Sequence, residues 1–181
     1  MMEKLKNLAS WKIILPLFLL FSVFTFYLFP KYQNAINKIA GKELQSLDAR
    51  ANYNKTDVMQ LFDSMGKEGI SIYSFVSGTI DAVYPLVYGA LFFFLTIALT
   101  KRLNNKSVYL SFISIFAVVS DYLENFHVLE LMGSYPSISE EQVGIASTFT
   151  QLKWAFLLLS LGTIVILLIV FALKKFIHKD Q

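Results

Sequence analysis

The sequence predicts an all-α, polytopic membrane protein: a bundle of four transmembrane helices with a small external helical insert between helices 1 and 2. Three observations carry that expectation. The chain of 181 residues is 55% hydrophobic and 15% aromatic, and its mean hydropathy of +0.54 is well above what a water-soluble core requires. Its apolar runs have the length that crosses a bilayer, roughly twenty residues each. Basic residues collect beside alternate ends of those runs, as topology signals do. There is no internal repeat and no low-complexity linker, so 1–181 reads as one integral membrane domain.

Composition also removes several chemistries. The chain contains no cysteine, which excludes disulfides, thiolate nucleophiles, zinc–thiolate sites and iron–sulfur ligation. The net charge of +3 comes with lysines that flank apolar segments, so no nucleic-acid partner is expected. Without a Gly-rich phosphate cradle, a Rossmann fingerprint or a haem-type histidine pair, no cofactor is expected either.

The first span is placed at 12–30, behind a short basic stretch with Lys4, Lys6 and Lys12. Leu28-Phe29-Pro30-Lys31 offers no small-residue cleavage site, so the segment reads as a retained anchor. Pro16 falls near its start, and Pro30 marks the exit from hydrocarbon. Residues 31–70 then turn to mixed charge and form the insert. Tyr32, Ile36, Ile39 and Ala40 recur at helical spacing, and so do Val58, Leu61, Phe62 and Met65. The second of these short helices is expected to start at Asn54 or Thr56 and to stop at Gly66. Roughly forty residues make a poor core of their own, so the insert should lie on the membrane surface or roof the bundle. There it could dock a protein partner.

The second span, 71–100, gathers Ser74, Ser77, Gly78, Asp81, Tyr84, Pro85 and Tyr88 on one face. Pro85 cannot donate to the carbonyl four residues back, which belongs to Asp81. The third span, 107–132, ends in Asp121, Glu124 and Asn125, spaced i, i+3, i+4 and hence on one narrow helical face. Ser139 and Gln142 form a capping box opening the fourth span, 140–178. Gly89 and Gly162 are read as close helix contacts. Basic clusters at the N-terminus, at Lys101, Arg102 and Lys106, and at Lys174, Lys175 and Lys179 put both termini in the cytoplasm of a cell membrane.

At about 1.5 Å rise per residue, counting from the cytoplasmic ends brings Asp81, Lys153 and the group Asp121, Glu124 and Asn125 to one height near the outer boundary. Ionisable groups at such depth are costly and usually face a bundle interior or a wet cavity. The expected function is therefore a polar pocket at the outer leaflet that binds a lipid-like amphiphile drawn from the membrane lipids, with acid/base chemistry as an open extension. In that reading Asp121 and Glu124 are acid and base, Lys153 stabilises an anion, Asp81 shares a proton, Asn125 orients the ligand, and Tyr84 and Tyr88 line its path. The carboxylates outnumber the ammonium, so a proton or a cation is needed for balance.

Two further readings follow from the same residues. Glu124 and His127 match the Glu-x-x-His spacing of di-metal bundles, but the only other histidine, His178, belongs to the opposite face. His127 also points about 120° from Asp121 on an ideal helix, so no metal is expected. Ser74, Ser77, Ser120 and Thr150 lie at the right depth for a hydroxyl nucleophile, without a recognisable nucleophile motif. The competing account is a non-catalytic subunit or small receptor whose charged cluster fixes helix packing or partner docking.

Overall fold

The computed structural model describes residues 7–103 and 107–177, with side chains through residue 175. Lys4, Lys6, Lys106, His178 and Lys179, used above for topology and for the metal reading, lie outside the described residues. Every regular element among the described residues is helical. Four helices are long and apolar enough to cross a membrane: α1 (Trp11–Ala40), α2 (Lys55–Arg102), α3 (Ser107–Ser134) and α4 (Glu140–Ile177).

The helices run further than their apolar spans. α1 continues past Pro30 to Ala40, where Gly41 ends it at φ 67°. A π-helical turn, Phe24–Leu28, precedes Pro30. A widened turn gives a proline ring the room that a regular helix would deny it, so the helix continues through Pro30, the residue read from sequence as the exit from hydrocarbon. α2 starts at Lys55 under a complete capping box between Asn54 and Asp57. It breaks at Gly66, whose φ of 61° and ψ of −177° are open to glycine and strained for other residues, and then resumes. A second π turn, Val76–Ile80, leads directly into Asp81. α3 begins as a 3-10 segment over Ser107–Phe112. The Ser139–Gln142 capping box is formed in both directions, at 2.9 and 3.1 Å.

Two apolar cores stack along the bundle. One joins Ile36, Leu47, Tyr53 and the Val58, Leu61, Phe62, Met65 stripe to Val128, Leu131 and Met132 of α3 and Val143 and Ala146 of α4. The amphipathic stripes of residues 31–70 thus cover one end of the bundle instead of forming a separate core. The other core joins Ile14, Tyr88, Leu91, Leu99, Ala117, Ile164 and Leu167. Gly89 permits the tight crossing of α2 on α3, since a Cβ there would sit 2.2 Å from Val118 Cγ2. Gly162 has open space around its Cβ position, so the close contact expected there is absent.

Candidate functional site

The polar residues lie at the seam between the two cores. On α2 Asp81 falls between Tyr73 and Tyr88; on α3 Asp121, Glu124 and Asn125 fall between Ala117 and Val128; on α4 Thr150 and Lys153 fall between Ala146 and Ile164. Three helices therefore bring ionisable side chains to one level, as the spacing predicts. The details separate them into two groups.

The first group is centred on a buried ion pair. Glu124 has no exposed surface and Lys153 only 5%; the two form an ion pair. Thr150 Oγ1 donates to Glu124 Oε1 at 2.6 Å, and Tyr53 OH lies 3.1 Å from the same Oγ1. A threonine has one hydrogen to give, so with Glu124 receiving it, Tyr53 is the donor in that contact. Burial pushes the Tyr53 phenol up, which keeps it protonated for this role. Lys153 Nζ also donates to the Asp48 carbonyl at 3.3 Å, and Trp154 Nε1 donates to the same oxygen at 3.1 Å. The Leu47–Ala49 turn is thereby tied to α4. Tyr73 accepts from the Leu47 amide at 3.0 Å and donates to Asp48 Oδ1 at 2.9 Å, tying the same turn to α2.

The second group opens on a cavity of about 700 Å³. Tyr88 OH donates to Asp121 Oδ2 at 2.8 Å, and Asn125 Nδ2 donates to Asp121 Oδ1 at 3.1 Å. Asn125 Nδ2 also reaches the Asp81 carbonyl at 3.3 Å, the acceptor that Pro85 leaves without its helical donor. Tyr122 OH donates to the next carbonyl, that of Ala82, at 2.7 Å. The proline's deficit is thus met from α3. Asp81 is 7% exposed and lines the cavity, and its carboxyl makes no hydrogen bond or ion pair among the described residues.

Of the residues singled out from sequence, Asp81, Asp121, Lys153, Tyr84 and Tyr88 border the cavity, whereas Glu124 and Asn125 stand behind its wall. Tyr84 shares a 3.1 Å hydrogen bond with Thr25 of α1 and packs its ring on Phe29 at 4.9 Å and Tyr88 at 5.2 Å. His127 points elsewhere: it pairs with Glu130 at 3.1 Å and stacks on Phe149. Among the described residues no three His, Cys, Asp or Glu side chains are grouped to hold a metal ion. Of the hydroxyls weighed as nucleophiles, Ser74 donates to Met132 Sδ at 3.2 Å and Thr150 is committed to Glu124.

Asp48, Tyr53 and Tyr73 are the participants that spacing did not reveal. Asp48 and Tyr53 sit in non-periodic chain, and Tyr73 reads as an interfacial aromatic; Leu47 and Asp48 also reach partners 26 and 105 residues away.

The cavity is two-ended. Its polar wall comes from Asp48, Asp81, Asp121 and Lys153, while Phe21, Phe92, Leu157, Leu158 and Leu161 make the apolar wall between α1 and α4. Leu158 and Leu161 are also 63% and 42% exposed, so this wall runs out to the side of the bundle. The fold and site define a helical bundle with four helices long and apolar enough to cross a membrane and a charged seam beside a laterally placed cavity. No protein-family model, curated protein or solved structure matches this chain.

Proposed function

We propose that the protein is a multi-pass protein of the cell membrane that binds an amphiphile, with the polar head at Asp81 and Asp121 and the tail along Leu157, Leu158 and Leu161. Both termini lie in the cytoplasm in this reading, and the loop and helix ends of residues 31–70 lie outside. The observation that carries the proposal is the cavity whose wall changes from carboxyl groups to leucines and reaches the bundle's side between α1 and α4. Small-molecule sites combine mostly apolar walls with a few convergent polar groups, and a volume of about 700 Å³ suits a lipid-sized occupant. An acid/base step on such a ligand would fall to Asp81 and Asp121, which face the cavity.

The test is native mass spectrometry of the full chain in gentle detergent. A co-purifying lipid-like adduct is expected on wild type, and Leu157→Phe/Leu161→Phe, which narrows the tail channel, should lose it. A folded wild type with no adduct, or an adduct retained by the double variant, would overturn the proposal.

A second reading applies to the buried ion pair alone. The burial of Glu124 and Lys153 favours a packing role for that pair.

A further inference from the structure

We infer that the amphiphile taken by this cavity carries a cationic amine head. The inference rests on the binding reading above and adds the chemistry of the head. Asp48, Asp81 and Asp121 all border the cavity, and Lys153 is the one Lys or Arg on its wall among the described residues. That ammonium is already matched by Glu124 and spends another donor on the Asp48 carbonyl. One N–H of that ammonium is left against the three Asp side chains on the wall, so an arriving carboxylate or phosphate would find less to pair with than an ammonium would.

Asp81 is the point of recognition. Buried polar groups are normally satisfied, yet Asp81, a residue 7% exposed that lines the cavity, makes no side-chain hydrogen bond or ion pair among the described residues. An ammonium placed there would give it an ion pair and charge-assisted hydrogen bonds. The rings of Tyr84 and Tyr88 border the same space, and aromatic faces attract a desolvated ammonium. An alcohol head would gain the hydrogen bonds without the charge and ring attraction.

The chain's own tryptophans make the test direct. Trp154 borders the cavity, while Trp11 lies beside Arg102, away from its wall. With Trp11→Phe, Trp154 is the remaining tryptophan of the two. Brominated alkyl probes of equal chain length, with a primary amine, alcohol or carboxylate head, are titrated into the full chain in lipid nanodiscs while Trp154 quenching is followed. The amine should quench at an about tenfold lower mole fraction than the alcohol, with the carboxylate weakest. Asp81→Asn should abolish the amine's advantage over the alcohol. If alcohol or carboxylate binds as tightly as the amine, and Leu157→Phe/Leu161→Phe removes that binding, the cationic head is wrong and the cavity reading stands. If no probe quenches saturably, or the double variant quenches like wild type, the cavity reading itself falls.

Discussion

Replacing Lys153 by Met leaves the Glu124 carboxylate, which has no exposed surface, with Thr150 as its remaining partner. Breaking a buried pair by removing one member costs about 3–5 kcal/mol, whereas replacing both members with apolar groups is often close to neutral. Lys153→Met should therefore lower the thermal unfolding temperature in detergent sharply, and Glu124→Leu/Lys153→Met should recover most of the loss. A single variant as stable as wild type would show that the pair does not hold α3 to α4. The i, i+3, i+4 spacing of Asp121, Glu124 and Asn125 marked the right helix face, because spacing is all that such a face requires. It could not divide the face into a carboxyl that opens on the cavity and one that does not. That division depends on Thr150 and Tyr53, and the Tyr53–Thr150 contact spans 97 residues of sequence.

At the scale of elements, the crossing of α2 on α3 is set by Gly89. Gly89→Ala places a methyl 2.2 Å from Val118 Cγ2, and overpacking of this kind typically costs about 1–3 kcal/mol. Thermal melts should show that loss, and Val118→Ala added to Gly89→Ala should restore most of it. An unchanged melting temperature for the single variant would mean that Val118 moves aside freely. The four helices were legible because their apolar runs are long and their caps are local: Ser139 and Gln142 are three residues apart, as are Asn54 and Asp57. Pro85 likewise pointed to an unserved carbonyl at Asp81, though not to the Asn125 amide that serves it. The π turns at Phe24–Leu28 and Val76–Ile80 carry no such signature. Each is a one-residue surplus whose position is chosen by packing, so the continuation of α1 through Pro30 was not visible in the sequence.

For the whole molecule, the absence of cysteine makes orientation directly measurable. Single cysteines at exposed Lys42 and Asn52 should react with an impermeant maleimide added to intact cells, while one at exposed Lys175 should react only after the membrane is opened. The reverse pattern would invert the topology proposed from the basic clusters. The charged seam was legible at this scale too, since counting residues along each span brings Asp81, Asp121 and Lys153 level. The cavity was not, because it is the space that α1 and α4 leave between them as each packs on α2. The exposure of Leu158 and Leu161 along that space has a consequence for how an occupant is counted. A molecule that reaches the seam sideways is dissolved in lipid before it is bound. Its occupancy follows its mole ratio to the surrounding bilayer, so diluting a suspension with buffer would leave the site as full as before, and adding empty vesicles would drain it.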